Sequence, residues 1–578
     1  MRERQNRKRM VALGEIPAEL VLKNGRVVNL FSGRIFTADV AVEGGIIAGV
    51  GSYRGEKEID LRGGCLTPGL VDAHLHFESS MVSPKLFLER VLPWGTTTLI
   101  ADPHEIVNVL GAEGMRYLLR ETENVPADVY VMLPSCVPAN RLEQNGFPFP
   151  AAEMAEFLSH PRVLGLGEVM DAPSVLSGDG EIWAKLDLCR DKIIDGHGPG
   201  LSGKELQAYR LSGVMTDHEC VGWDEALRKL EQGFYIQIRE GSAARNLEAI
   251  VKGMLKDNVP CDRFLFCTDD KHLDDIRREG HIRWNVKKAV SLGLDPVSAL
   301  RMATLNPAMA YGLKSTGAVA AGYKADLVVW DNLSDFNPMM VFKDGTLVSE
   351  SGSPVLIAPR GGEIPEGEAR HTVKLPPLRA ADFALKAEKA FPVVEIIPHE
   401  ITTKKRMMDL SADEDGNFAP GGELLKIAVI ERHGRQNRMT VGVIAGVGLR
   451  GGAIGTTIAH DSHNLLVIGD SDDDMLAAAE ALRACQGGYA IAAGGRTLMT
   501  QPLPVAGLFT DDPNSGIEEN VAAMLALARK MGVREGVDPF TTLSFMALPV
   551  IPELRVTDGG IYDVLAGEML IPPRKIGE

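Results

Sequence analysis

Between Leu20 and Leu66 apolar and polar residues alternate in short runs broken by glycine, as in "LVLKNGRVVNL" and "TADVAVEGGIIAGVG". A period of two punctuated by glycine predicts the hairpins of a small β unit. From about Pro68 the pattern changes. Short strand-like runs ("TTLIAD", "DVYVMLPS", "VLGLGEV", "KIIDGHG", "GVMTDHE", "FYIQIRE", "RFLFCTDD") alternate with amphipathic stretches such as "GAEGMRYLLRETE" and "WDEALRKLEQG". Strands alternating with helices imply a parallel sheet. With the run that carries His74 and His76 the strands number eight, and eight such units in about 240 residues predict a (β/α)8 barrel.

The stretch "GLKSTGAVAAGYKADLVVWDNLSDFNPMMVFKDGTLV" returns to hairpin grammar and is placed to rejoin the N-terminal sheet. "SPVLIAPRGGEIPEGEARHTVKLPPLRAAD" is rich in proline, glycine and charge, and reads as a linker or irregular crossing. Beyond about Phe391, strands such as "KIAVIER", "MTVGVIAGV" and "NLLVIGD" mix with helices around "DMLAAAEALRAC" and "IEENVAAMLALARKMG", an α+β domain. The expected organisation is the N-terminal part of a small β domain over 1–66, a barrel over 67–305, the returning part of the β domain over 306–375, and an α+β domain over 376–578. The fold class is α/β: a TIM-like barrel, a small β-sandwich built from both of its flanks, and an additional C-terminal domain.

Composition narrows the functions open to such a chain. Its 578 residues exceed one hydrophobic core and fit two to four domains. A net charge of −17 supplies no global basic field for nucleic acid or an anionic membrane. The only strongly basic run, "MRERQNRKRM", has no signal-like apolar stretch after it and reads as a frayed tail. No apolar run approaches the roughly 18 residues of a membrane span. The seven cysteines (65, 136, 189, 220, 261, 267 and 485) are odd in number and contain no C-x-x-C, so they read as core residues of a reduced, cytoplasmic protein without a structural zinc site.

Candidate chemistry begins at "VDAHLHFESSM". Residues i and i+2 of a strand share a face, so His74 and His76 can reach one point together. That point is a candidate metal site, although two half-buried histidines bonded to backbone would give the same spacing. The rest of the barrel discriminates, because a barrel enzyme carries its reactive groups at the C-terminal ends of its strands. There the apolar runs end on Glu168, His197, His218 and Asp269. Taken singly, Glu168 reads equally as a helix-capping acid, His197 as a turn residue and Asp269 as an N-cap. Taken in order along one barrel, four imidazoles and two carboxylates surround one or two divalent ions.

This order, with "TPGLVDAHLH" and the returning "TLNPAMAYGL…GAVAAGYKADLVV", resembles the amidohydrolase superfamily of metal-dependent hydrolases over about residues 20 to 345. The further phrases "HFESSM", "ADPHEI", "GLGEVMD", "DGHGPGLSG", "TDHE", "REGSA", "CTDDK" and "AHDSHN" are similar to the bacterial type of adenine deaminase, and extend the resemblance over nearly the whole chain outside the basic first ten residues. The resemblance implies His74 and His76 on strand one, Glu168 at the end of strand four, where many binuclear members carry a carboxylated lysine, His197 and His218 on strands five and six, and Asp269 on strand eight. It implies two divalent ions, Mn or Fe, with Zn possible, and hydrolysis of adenine to hypoxanthine and ammonia in purine salvage. A divalent cation lowers the pKa of water by many units, which such an attack at neutral pH requires. Asp269 is the first choice for proton transfer, with Glu240 in "IREGSA" the second and His218 a further catalytic candidate; His104, Arg239 and Ser242 are candidate substrate contacts.

Adenine and water are then the expected small-molecule partners, in a homodimer or larger homo-oligomer. Rival readings are an amidohydrolase acting on another aminated ring or a cyclic amide, a phosphoester hydrolase, or a non-catalytic barrel assembly protein. A lysine would suit the cyclic-amide enzymes better where Glu168 stands, a phosphate site lacks clustered cations beyond Arg239, and an assembly protein would have lost ligands that are all present here. The H-x-E and P-C-x-x-C pattern of the other zinc deaminase design is absent. "GVGLRG" formally matches a dinucleotide fingerprint, but the Gly-rich, β-branched text after it does not open a helix. "DSDDDM" reads as a solvated helix start. "AHDSHN", with His460, Asp461, His463 and Asn464, is either a cover over the barrel mouth or an Asx-rich turn, and the local pattern favours the turn.

Overall fold

The computed structural model describes residues 2–139, 142–242, 244–355 and 367–577. Positions 356–366 of the proline-rich stretch lie outside the described residues.

Eight parallel strands form the centre: Leu70–Leu75, Thr96–Ala101, Asp128–Leu133, Val163–Val169, Ile193–Gly196, Thr216–Asp217, Tyr235–Arg239 and Phe264–Cys267. The first five pair in order, as do the last three. The Met215 N–H donates to the Ile194 carbonyl at 2.8 Å and joins the two groups. At the other seam the Asp269 N–H donates to the His74 carbonyl at 3.0 Å, and the His76 N–H to the Asp269 carbonyl at 3.4 Å. The barrel is therefore closed, and strand one meets strand eight at the two residues singled out above. Glycine makes one of these pairings possible. A Cβ at Gly165 would lie 1.8 Å from the Ile193 carbonyl oxygen, so strands four and five approach only because no side chain stands there.

The lower interior of the barrel is apolar, with Val71, Ala73, Ile100, Met132, Leu265 and Cys267 packed together. A polar layer sits among them. Tyr311 O–H bonds the Asp195 carboxylate at 2.8 Å, the Thr216 hydroxyl donates to its other oxygen at 2.8 Å, and the Gln237 amide reaches the Ala73 carbonyl at 3.0 Å. Buried polar groups persist in such a layer because nearly all find partners; of these side chains only Gln237 leaves an atom, Oε1, without one.

The flanking strands Ala18–Asn29, Arg34–Glu43, Ile46–Gly51, Gly55–Asp60 and Cys65–Pro68 share one nine-stranded sheet with Leu327–Trp330, Pro338–Lys343, Thr346–Glu350 and Ser353–Pro354. The two flanks meet where Leu327–Trp330 runs antiparallel to Cys65–Pro68. The basic N-terminus is not frayed. Arg2–Ala12 is a helix whose Arg7 pairs with Glu43 at 2.5 Å and Glu56 at 2.8 Å, while Val11 is fully buried. Acids on the neighbouring strands draw the basic helix down, a contact that no local pattern in the first ten residues encodes.

The C-terminal region contains a second nine-stranded sheet, built between Phe391 and Lys575. Its strand Leu424–Ile430 shows the period of two directly. Ile427 and Val429 face the large core shared with the barrel, and Ala428 and Ile430 face the helix Asp472–Cys485. Ser471 caps that helix through the Asp474 N–H, which places "DSDDDM" at a helix start. "GVGLRG" forms the connection between Arg438–Ala445 and Ala453–Thr456 and opens no helix. The region is tied to the barrel rim by paired backbone bonds of 2.9 Å, from Ser83 N–H to the Thr510 carbonyl and from Thr510 N–H to the Met81 carbonyl.

Candidate active site

The strand ends that carry His74, His76, Glu168, His197, His218 and Asp269 deliver these side chains to one buried point at the barrel mouth. His76 Nε2 lies 3.3 Å from Glu168 Oε1 and 3.2 Å from Asp269 Oδ1. His74 Nε2 lies 3.6 Å from Asp269 Oδ1 and 3.8 Å from Glu168 Oε1. On the other side of Glu168, Oε2 meets His197 Nδ1 at 2.6 Å and His218 Nε2 at 3.2 Å. Glu168 thus faces two histidine pairs, one with each carboxylate oxygen. Its position is set from behind: the Glu168 N–H donates to Asp102 Oδ2 at 2.8 Å, and Gly167 leaves room for that carboxylate, which would lie 2.1 Å from a Cβ.

The protonation pattern suits metal ligation. His76 Nδ1 donates to the Asp102 carbonyl at 2.8 Å, which leaves the Nε2 lone pair facing Glu168 and Asp269. His74 is fully buried and neither of its ring nitrogens has a hydrogen-bond partner, an expensive state for a polar group unless something else occupies it. Three trios around Glu168 and Asp269 bring ligand atoms within 4.8 Å of one another: His74 with His76 and Asp269, His74 with Glu168 and His218, and His76 with His104 and Glu168. Imidazole and carboxylate donors of this kind fit Mn, Fe or Zn. The residues therefore fit a divalent metal, and His74, His76, Glu168, His197, His218 and Asp269 are the candidate donors. The charges point the same way. Burial opposes ionisation of Glu168, but His218 and His197 outweigh it and hold the carboxyl well below the ordinary range. Burial likewise opposes ionisation of Asp269, and His74, His76 and Arg239 overcome it.

The remaining expected site residues divide. His104, at the start of the helix His104–Leu110, joins the centre with Nδ1 3.3 Å from Glu168 Oε1. Burial works against its charge, but Asp102, Asp461 and Glu168 push its pKa up to about 10. Arg239 reaches the centre but is engaged by protein. Its Nη1 lies 3.1 Å from Asp269 Oδ2, and both terminal nitrogens pair with the Glu219 carboxylate. The structure does not bring Glu240 to the centre. Gln237 and Arg239 point into the barrel, so the next residue points out. The Glu240 carboxylate meets Lys288 at 2.7 Å and Arg245 at 3.7 Å on the outer side. Ser242 is also engaged elsewhere: its hydroxyl bonds Asp275 and accepts the His272 N–H at 2.9 Å, tying the loop after strand seven to that after strand eight.

One group escaped the sequence reading, and a second was weighed there as either cover or turn with the turn favoured. Glu219, adjacent to His218, lies 3.5 Å from His218 Nε2 and 3.8 Å from His197 Nδ1; a second metal-competent side chain beside a histidine at a strand end was its signal. The other is the "AHDSHN" segment, which covers the mouth and is not a solvent turn. His460 to Asn464 are all buried, and Asp461 Oδ1 lies 3.8 Å from His104 Nε2. His460 Nδ1 and His463 Nε2 flank Glu105 at 3.5 and 3.4 Å. This trio is spaced like a metal site, but His463 Nδ1 accepts the Ala459 N–H at 3.2 Å. The ring proton is therefore on Nε2, yet neither that nitrogen nor Glu105 Oε2 has a hydrogen-bond partner, so the trio is a buried polar contact between barrel and C-terminal region. Its placement depends on Arg432, wholly buried, whose Nη2 donates to the Ala506 carbonyl at 2.9 Å and whose Nε donates to the His463 carbonyl.

Residues 65–348 match the model of the amidohydrolase family, and residues 400–568 match that of the adenine deaminase C-terminal domain. The chain is 46% identical over 555 residues, 96% of each chain, to a curated protein of Desulfitobacterium hafniense named adenine deaminase. It is also 46% identical to adenine deaminase 2 of Carboxydothermus hydrogenoformans, over 96% of this chain and 97% of the relative. Among solved structures, a β-aspartyl dipeptidase of Fervidobacterium islandicum aligns over 58% of this chain and 98% of its own, with 17% identity and a TM-score of 0.47.

Proposed function

The chain belongs to the adenine deaminase family, within the amidohydrolases, and from that membership we infer that it hydrolyses adenine to hypoxanthine and ammonia. The observation that carries the chemistry is the convergence of four histidines on the two oxygens of Glu168, with Asp269 beside them. His74, His76, Glu168, His197, His218 and Asp269 would hold two divalent ions, for which Mn and Fe are the first choices. Such ions, when bound, lower the pKa of water and stabilise negative charge developing on the purine.

In the reaction a water oxygen bonds to C6 of adenine, and the bond from C6 to the exocyclic nitrogen breaks. Both water protons must leave the oxygen, one reaching ring N1 and the other the departing amine. Asp269 is suited to carry them. Its Oδ1 faces His74 and His76, and Arg239 fixes its other oxygen, so the carboxylate has one orientation toward the reacting atoms. Arg239 is accordingly a positioning residue, and Glu219 holds it in place. His104, between Glu168 and Asp461, is the second group able to pass a proton or contact the ring. The carboxylate of Glu240 supports the loop from outside the barrel.

The test is ammonia release from adenine by metal-stripped protein reloaded with Mn, Fe or Zn, with metal content measured in parallel. Two equivalents bound and turnover restored are expected, and Asp269→Asn, which alters a metal donor as well as the proton carrier, should lose at least about 10²-fold in kcat. Full turnover by stripped protein would overturn the assignment. Among the described residues no helix is long and apolar enough to cross a membrane, and all seven cysteines are free, which supports a reducing, cytoplasmic setting. A homo-oligomer is proposed on general grounds and is checked by light scattering.

A further inference from the structure

Asp269 has a strained backbone. Its φ is +57°, in the left-handed region that residues other than glycine rarely adopt, and such a conformation persists only where neighbours over-determine it. Strand one holds the incoming side: the Asp269 N–H donates to the His74 carbonyl at 3.0 Å, and the Asp269 carbonyl accepts the His76 N–H. The outgoing side, Asp270 to His272, lies beyond the strands and is held by the loop after strand seven. The Ser242 N–H donates to the Asp270 carbonyl at 2.7 Å, and the Ser242 hydroxyl accepts the His272 N–H at 2.9 Å. The same hydroxyl donates to Asp275. From the opposite loop Lys271, 2% exposed, donates to the Glu240 carbonyl at 3.2 Å and pairs with Glu279 at 3.2 Å. The two loops meet without slack, since a Cβ at Gly241 would lie 2.4 Å from both the Thr268 and the Asp270 carbonyl oxygens.

We propose that Ser242 is a positioning residue for proton transfer: by bonding the chain on both sides of Lys271, it keeps Asp269 left-handed and its carboxylate aimed at the reacting atoms. The proposal rests on the adenine reading above, with Asp269 as the proton carrier. Arg239 fixes the Asp269 side chain through Oδ2, whereas Ser242 fixes the backbone from which that side chain springs. Without the hydroxyl the His272 N–H loses its acceptor. The strained residue can then relax toward an ordinary conformation, which swings its carboxylate away from His74 and His76. Serine suits the task because one hydroxyl must accept an N–H and donate to a carboxylate at once, which threonine can do and alanine cannot. Neither Ser242 nor Lys271 is among the candidate metal donors. The phrases "REGSA" and "CTDDK" are thus two halves of one clamp, with Lys271 closing it from the other side.

The experiment measures kcat and KM for adenine, the solvent deuterium isotope effect on kcat, and metal content. It uses the Mn-reloaded full-length enzyme and its Ser242→Ala, Ser242→Thr and Lys271→Met variants. Ser242→Ala should keep its metal and a KM within about threefold of wild type, lose about 10- to 100-fold in kcat, and show a larger isotope effect. Ser242→Thr should recover most of that kcat. Lys271→Met lies in the other loop and leaves Glu279 paired with Arg245 at 2.8 Å. It should show the same split between kcat and KM, and it decides the matter if Ser242→Ala does not fold. A folded, metal-loaded Ser242→Ala with wild-type kcat and isotope effect overturns the proposal. So does a loss of kcat matched by loss of metal, or one that threonine fails to restore. Each of these results leaves the functional reading intact. Failure of wild type to deaminate adenine removes the reading itself, and the proposal with it.

Discussion

His433→Gln tests how the mouth cover is held. His433 lies beneath the cover, 7% exposed, and its Nε2 donates to the Ser462 carbonyl at 2.8 Å. Burial, reinforced by Arg432, Arg435 and Lys374, lowers its pKa from 6.5 to about 3. Between those values the unfolded chain binds a proton that the folded chain refuses. Stability is therefore complete above about pH 6.5 and is lost as the pH falls toward 3. At pH 5 the loss from this one group is about 2 kcal/mol, and the limiting slope is about 1.4 kcal/mol per pH unit. Glutamine keeps an N–H donor for Ser462 and does not titrate, so its cost at pH 7.5 is about 1 kcal/mol or less. Urea unfolding of both proteins at pH 7.5 and 5.0 isolates the effect, because every shared titration cancels in the difference. The variant should gain about 2 kcal/mol on wild type between the two pH values. Parallel losses would refute the reasoning, since His433 would then carry the same charge in both states.

Other expectations follow from single contacts. Lys229→Met strands the fully buried Asp217, which Lys229 meets at 2.8 Å, and should cost about 3–5 kcal/mol, read as a lowered Tm. Gly165→Ala has no room against the Ile193 carbonyl and should cost about 3 kcal/mol or more, visible as lost soluble yield or a lower urea midpoint. Glu168→Gln removes the charge shared by both histidine pairs and should leave the purified protein with fewer than two metal equivalents by elemental analysis. Metal at 100 times its Kd should add about 2.7 kcal/mol of stability, so a chelator should lower Tm and a saturating divalent ion restore it.

Much of the barrel and of its candidate metal site was legible because both obey local rules. Apolar runs mark the strands, the strand ends mark the mouth, and a period of two places His74 beside His76. Strand parity also corrects one reading: Arg239 and Glu240 are equally polar neighbours at one strand end, and only the register of Gln237 decides which faces inward. The contacts that were missed are non-local. Nothing near Arg7 announces Glu43 and Glu56, and nothing near "AHDSHN" announces His104 and Glu105, more than 350 positions earlier. Local text there does resemble a turn; burial beneath another part of the chain makes it a wall.

The seam of the barrel has a consequence for how the molecule is made. The backbone of His74 pairs with that of Asp269, so the donor set spans almost 200 positions of a chain that emerges from the ribosome N-terminus first. While residues beyond Asp269 are still being added, His74 and His76 have no eighth strand to close against. Until His460 and Asp461 follow, the completed mouth has no cover. A nascent chain therefore passes through an open-barrel stage with its imidazoles exposed to any available ion, and a segment synthesised long after the eighth strand is the one that covers them.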